Sequence, residues 1–221
     1  MIQDVIVKGK KKAKMRLYKF KCLEKIKYVN EIIEEEKLYC SEYSKLNDPF
    51  EGLFFEIIKQ GSFSPSFTKG FDRIEKQVKE ILYPLKVCSL SKKLDDVRMW
   101  SFYANDHKGI AIEIDFAGFE NEVEEVLYLN ALPEYNLETP NPAEILKNKT
   151  KHWCYESEYR IIQKNEYYPI KGRICSVYIG NRILDDKIEI LKKIVPKAIP
   201  IYRTKLEPND IKIIPGDILE R

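Results

Sequence analysis

Between Ile110 and Phe116 the chain alternates without a break. Ile110, Ile112, Ile114 and Phe116 are apolar, and Ala111, Glu113 and Asp115 stand between them. Period-2 alternation of this length specifies a β-strand with one apolar face and one carboxylate-bearing face. A chain that contains it must build a sheet and cover the isoleucine side. The residues just before it, Met99 to Gly109, follow no comparably clear period. They bring together Trp100, Phe102, Tyr103, Asn105, Asp106, His107 and Lys108. Large rings beside short hydrogen-bonding groups suit the wall of a pocket. They equally suit a packed corner, with a buried Trp anchoring a helix and Asp106 and His107 capping it.

Period-2 runs recur at Leu17–Phe20, Lys37–Cys40, Val87–Ser91, Glu158–Gln163, Arg173–Gly180, Ala198–Tyr202 and Ile211–Ile214. Helical spacing is expected over residues 23–36, from Pro142 to Trp153 and from Leu184 to Val195. The most regular helical stripe is Phe71, Ile74, Val78, Ile81, Leu82 and Leu85. Asn47-Asp48-Pro49 starts a turn, and residues 60–70 and 133–142 read as loops. Single helices between several strands, without a βαβ rhythm, predict an α+β fold: one domain over 17–221, a mixed, mostly antiparallel sheet system with flanking helices.

Residues 8–16 carry six positive charges and precede the first strand, so residues 1–16 are expected to be a flexible basic leader. Such a run is either a solvated tail or an arm for nucleic-acid phosphate. Over the whole chain, 38 basic residues nearly balance 35 acidic ones, so the net charge of +3 permits a nucleic-acid partner without requiring one. No apolar run approaches the roughly 18 residues of a membrane span. With no apolar signal core at the start and five cysteines lacking CxxC spacing, reduced, mostly buried thiols, a cytoplasmic location and no membrane partner are expected.

The second concentration of chemistry is His152 to Arg160. Glu156 and Glu158, two apart on an extended chain, would share a face about 7 Å from each other. Two carboxylates there need a cation or hydroxyls between them. Arg160 on the same face would make a salt-bridge row, whereas a ribose would supply hydroxyls. No GxGxxG, Walker loop or HExxH is present, and no G-x-S-x-G elbow supports a nucleophile paired with His107 or His152. Asp106, His107, Glu156 and Glu158 lack ligand spacing, so no metal is expected.

Leu-Tyr-Lys-Phe at 17–20, Asn47-Asp48-Pro49-Phe50-Glu51, Val87-Cys88-Ser89-Leu90-Ser91, Met99 to Ala104 with His107-Lys108-Gly109, and Trp153 to Arg160 occur in that order. The series resembles the prokaryotic family called domain of unknown function 2971, from Leu17 to about Gly180. Phe102 stands where that pattern has a histidine. The family name implies no activity. Lys19 (or Tyr18), Ser89-Leu90-Ser91 and Glu156-Ser157-Glu158 also resemble the ordered residues of ADP-ribosyltransferases, with Lys19 where those enzymes place Arg or His.

That second resemblance implies an ADP-ribosyltransferase-like fold and an NAD-dependent mono-ADP-ribosyltransferase or NAD glycohydrolase, with NAD as co-substrate and phage defence or toxicity as a fitting setting. In it Glu158 would stabilise the positive ribose and Glu156 would orient the acceptor, a macromolecule the sequence does not identify. Trp100 or Tyr103 would stack on a ring, and Lys19 and Arg160 would neutralise the diphosphate. Tyr18, Ser89 and Ser91 would complete the nucleotide-binding set. Two other readings stand beside it. One is a non-catalytic interaction module in which Glu156, Glu158 and Arg160 are structural. The other is a metal-dependent nuclease using Glu113 or Asp115 with Glu158.

Overall fold

The alternating run becomes β5 (Ile110–Asp115), and the sheet is assembled outward from it. In the computed structural model, which describes residues 15–51, 73, 76–131 and 141–220, β5 pairs antiparallel with β1 (Arg16–Lys21) on one side and β11 (Ile174–Ile179) on the other. Beyond β1 come β4 (Lys86–Ser91), β9 (Glu158–Gln163) and the short β6 (Glu124–Glu125). Beyond β11 come β12 (Ile201–Glu207) and β13 (Lys212–Ile218), and β3 (Ser41–Glu42) pairs with β4. In this nine-stranded sheet only the β11–β12 pairing is parallel. Two small sheets lie apart from it: β2 (Lys37–Tyr39) with β10 (Tyr167–Pro169), and β7 (Leu127–Leu129) parallel to β8 (Asn148–Thr150). The molecule is α+β with a large, mostly antiparallel sheet.

Both faces of the sheet are covered. On one, Ile110, Ile112, Ile114, Leu17, Leu90 and Val177 meet Val29, Ile32 and Ile33 of the Ile26–Ile33 helix and Ile188 and Leu191 of the Asp185–Ile194 helix. Ala111, expected on the open face, is buried on the other side beneath Trp100, with Phe20, Tyr155 and Tyr178 around it. Trp100 is fully buried, and its indole N–H donates to the Leu94 carbonyl at 2.6 Å. Truncating such an anchor to Ala costs about 3–5 kcal/mol.

Trp100 sits on a helix, Val97–Tyr103, within a stretch without a clear sequence period. Asp96 caps it by accepting from the Arg98 N–H. The chain leaves it through Asn105, Asp106 and His107, all with left-handed φ of 47°, 52° and 67°. Non-glycine residues hold this conformation only where neighbours enforce it. Here the His107 carbonyl accepts from Arg182 N–H, and a Cβ at Gly180 would stand 2.0 Å from that same oxygen.

Several local expectations are corrected. The helix from Pro142 ends at Leu146 rather than Trp153. The Leu127 amide bonds the Lys147 carbonyl and β8 pairs with β7, turning the backbone extended before the 3-10 turn Lys151–Glu156. In the helical segment 76–82, Val78 and Leu82 form the buried i, i+4 stripe while Ile81 is exposed; Phe71 and Ile74 lie outside the described residues. So do the basic run through Lys14, the 60–70 loop and most of the 133–142 loop. All five cysteines are free, but only Cys40 and Cys88 are buried, and Cys154 is exposed.

One irregularity positions the site. Between β1 and β4 a single pair, Tyr18 with Ser91, is in register. Past it the strands part, and the Lys19 ammonium bridges to the Ser89 carbonyl oxygen at 2.8 Å.

Candidate functional site

A cleft of about 520 Å³ opens where β1 and β4 separate, within the range of sites that enclose a small ligand. Its walls come from β1, β4, the Val97–Tyr103 helix, the Asn47 turn, β8 and the segment Glu156–Glu158. Of the residues singled out from the sequence, Tyr18, Lys19, Ser89, Ser91, Tyr103, Glu156 and Glu158 all border it, although they come from four separated motifs. The register explains part of this. Tyr18 stands opposite Ser91 and Ser91 opposite Glu158, so the three form one row across the sheet.

Glu156 and Glu158 do not lie on one extended segment. Glu156 ends the 3-10 turn, Ser157 takes a left-handed φ of 42°, and β9 begins at Glu158. The kink folds both carboxylates toward one ammonium. Lys149 Nζ lies 2.6 Å from Glu156 Oε2 and 3.1 Å from Glu158 Oε2, and it donates to Asn47 Oδ1 at 3.0 Å. Its remaining side lies 4.9 Å from the Trp153 ring centroid. Lys149 therefore fills the place between the acids that Arg160 was expected to share. It escaped the sequence reading because its segment was taken for helix and a lone lysine carries no pattern. Alternation over Asn148–Thr150 was too short to reveal the strand.

Arg160 lies behind this pair and is fully buried. Its Nε donates to Glu158 Oε1 at 2.7 Å, another nitrogen donates to Glu51 Oε1 at 2.7 Å, and the third to the Leu146 carbonyl. Every guanidinium nitrogen is thus turned into the protein, away from any diphosphate in the cleft. Trp100 likewise stands off the cleft wall, beneath the helix, with its indole N–H on Leu94. Of the two aromatic candidates, Tyr103 faces the opening. Its hydroxyl donates to Glu156 Oε1 and accepts from Asn47 Nδ2.

The buried cluster holds three carboxylates, Glu51, Glu156 and Glu158, against two cations, Lys149 and Arg160. Burial alone would raise the Glu158 pKa, but Arg160 and Lys149 outweigh it and hold the group ionised, well below the usual carboxylate range. Glu51 goes the other way. Burial raises its pKa despite Arg160, and its Oε2 is buried with no hydrogen-bond partner. The Tyr103 hydroxyl is pushed up, by burial first and then by Glu156, so it remains a donor.

Other candidates fall elsewhere. Glu113 is three strands from Glu158, roughly 14 Å at the usual strand spacing, and its carboxylate accepts from Ser176, Tyr18 and Tyr178. His107 Nε2 is 3.2 Å from Ser101 Oγ, yet its buried Nδ1 has no partner to orient the ring. Among the described residues no group of three or more His, Cys, Asp or Glu side chains is placed to hold a metal. Nor is any helix among them long and apolar enough to cross a membrane. Comparison of the chain with family models, with curated proteins and with solved structures finds no match.

Proposed function

We propose that this cleft binds a nucleotide of the NAD class and that the chain is an NAD-dependent mono-ADP-ribosyltransferase or NAD glycohydrolase. One observation carries the reading: the cleft is electrically two-ended. Its floor presents two carboxylates, Glu156 and Glu158, with one cation, Lys149, between them, and its β1 wall carries Lys19 and Lys21. Lys19 is one residue and Lys21 three residues from the Tyr18–Ser91–Glu158 row, about 3 and 10 Å along the strand. A ligand with a diphosphate and a ribose that turns cationic during reaction suits such a gradient.

In the reaction the bond between ribose C1 and the nicotinamide nitrogen breaks, and its electron pair leaves with nicotinamide. Positive charge develops on the ribose, as in glycoside hydrolysis. Glu158, held ionised by its two cations, supplies negative potential beneath it. Glu156, reached from the cleft through Tyr103, orients the incoming hydroxyl or water and takes its proton. Lys19 faces the diphosphate. The likeness to the domain of unknown function 2971 family belongs to the same proposal. The direct test is incubation of the purified protein with NAD, with released nicotinamide and any modified macromolecule read by mass spectrometry. Absence of both under conditions where NAD binds would sink the reading.

A second reading rests on the same cluster. Both Glu158 oxygens are already engaged by Arg160 and Lys149, an arrangement that would also serve a non-catalytic interaction module. That reading expects a ligand or partner to bind with no nicotinamide released. The nuclease reading has no such support: Glu113 is three strands from Glu158, and Asp115, two residues further along β5, pairs with Arg16 at 3.3 Å.

A further inference from the structure

Four lysines border the cleft, and three have acceptors. Lys149 is surrounded by oxygens, Lys19 reaches the Ser89 carbonyl and lies 3.4 Å from Cys88 Sγ, and Lys45 pairs with Glu42 at 3.2 Å. Lys21 differs. Among the described residues its ammonium has no hydrogen-bond acceptor and no carboxylate within ion-pair distance. Its ammonium stands instead over the Tyr28 ring, 5.8 Å from Nζ to centroid, which Lys25 also approaches at 6.0 Å. Lys19 projects from the same side of β1, about 7 Å away along the strand. The backbone here is held firmly: Lys21 pairs with Ile110, and a Cβ at Gly109 would stand 2.3 Å from the Lys21 carbonyl oxygen. A rigid strand thus presents a half-buried amine, beside a second cation and an aromatic wall, to a ligand-sized cavity.

We propose that Lys21 is a carbonyl-capturing site, its amine condensing with the aldehyde or ketone of an anionic ligand held in the cleft, such as the open-chain form of a phosphorylated sugar. The nitrogen lone pair attacks the carbonyl carbon, and the carbonyl oxygen takes a proton to give a carbinolamine. Loss of water and of a nitrogen-bound proton leaves the imine. Amine plus carbonyl gives imine plus water, so no oxidant or reductant enters. Lys19 supplies the positive charge beside Lys21, while Glu24, which also lines this end of the cleft, accepts from Asn105 at 3.2 Å.

The charge environment makes the amine available. Burial first, then Lys19, lowers the Lys21 pKa to about 8, while Cys88, Cys22 and Glu31 act in the opposite sense. Near pH 8 about half of such a group is neutral amine, against well under about 1% for an ordinary lysine. A desolvated lysine next to a second cation is a recognised way to make an amine nucleophilic at neutral pH.

The activity is distinct from NAD chemistry and is tested without NAD. The full chain is incubated with pyridoxal 5′-phosphate, an anionic aldehyde, from pH 6 to 9.5, then reduced with borohydride and mapped by peptide mass spectrometry. One equivalent is expected on Lys21, formed about tenfold faster than on exposed lysines such as Lys108, with a rate rising through a midpoint near pH 8. Lys21→Arg keeps the charge and should abolish the adduct with an unchanged melting midpoint. Lys19→Gln should raise the half-saturating probe concentration several-fold and move the midpoint of the rate to higher pH, and unphosphorylated pyridoxal should react more slowly. Labelling spread evenly over surface lysines overturns the proposal. So does binding of the probe with no adduct fixed by reduction.

Discussion

Two carboxylates stand in one row of the same sheet face and are stabilised by opposite means. Glu113 on β5 and Glu158 on β9 are linked through the register Glu113–Tyr18–Ser91–Glu158. Glu113 accepts from three neutral hydroxyls, on Ser176, Tyr18 and Tyr178, and its cation, Arg16, is 3.9 Å away. Glu158 is held by two cations that are themselves buried. Hydroxyls satisfy a carboxylate with little risk, since losing one leaves the others. A buried cation pair is a network in which each member depends on the rest. The first arrangement suits a structural corner. The second keeps charge in place beneath a cleft.

The largest effect should come from removing the shared cation. Lys149→Met leaves Glu158 with Arg160 alone and Glu156 with the Tyr103 and Asn47 side chains but no cation, and should cost about 3–5 kcal/mol in urea unfolding. Ser176→Ala beside Glu113 should cost about 1 kcal/mol. Equal losses in the two variants would break the comparison.

Next is the charge itself. Glu158→Gln should lower nicotinamide release by a factor of about a hundred or more, whereas Glu113→Gln should leave release within about twofold and cost about 1–2 kcal/mol of stability. Because Glu158→Gln also disturbs the fold, Tyr103→Phe is the companion variant. It removes the hydroxyl that joins Glu156 to Asn47 and should slow release by about tenfold while costing only about 1 kcal/mol of stability, the size of one hydrogen bond. If release is unaffected by both changes, the cluster is structural.

Acid provides a further contrast. The Glu158 pKa is held below its ordinary 4.5 in the fold, so its stabilisation is complete above about that pH and is lost as the pH falls beneath it. Glu51 has the reverse sign. Its raised pKa favours the fold when protonated, and that contribution is lost as pH rises through the folded value. Glu51→Gln, which imitates the protonated form, should therefore be neutral or slightly stabilising at pH 7, the smallest effect of the series. A large loss there would show that Glu51 is needed ionised.

Much of the sheet was legible because period-2 alternation is a local property. Leu17–Phe20, Val87–Ser91, Ile110–Phe116 and Glu158–Gln163 stand as neighbouring strands in the order β5, β1, β4, β9. The cleft was legible only where its residues carried pattern. Tyr103 and Trp100 looked equivalent in sequence, three apart in one aromatic stretch. The helix they share turns one toward Glu156 and the other down onto the sheet. Lys149 and Asn47 come from a misread helix and a turn, and their meeting with Glu156 is set by tertiary packing alone. Arg160 was placed on the correct face, but how deeply it is buried depends on Glu51, more than a hundred residues away.

The lone registered pair between β1 and β4 has a consequence for how the molecule breathes. A sheet joined at its middle by Tyr18 and Ser91 has an internal edge, with backbone groups facing a gap where neighbouring strands elsewhere are laced together. Two panels meet there, one built on β5 and β11 and the other on β4 and β9. Native-state amide exchange should find them opening as separate cooperative units, with amides along the seam exchanging well before those of β5. Anything lodged between the panels would act as a latch, slowing exchange on both sides at once.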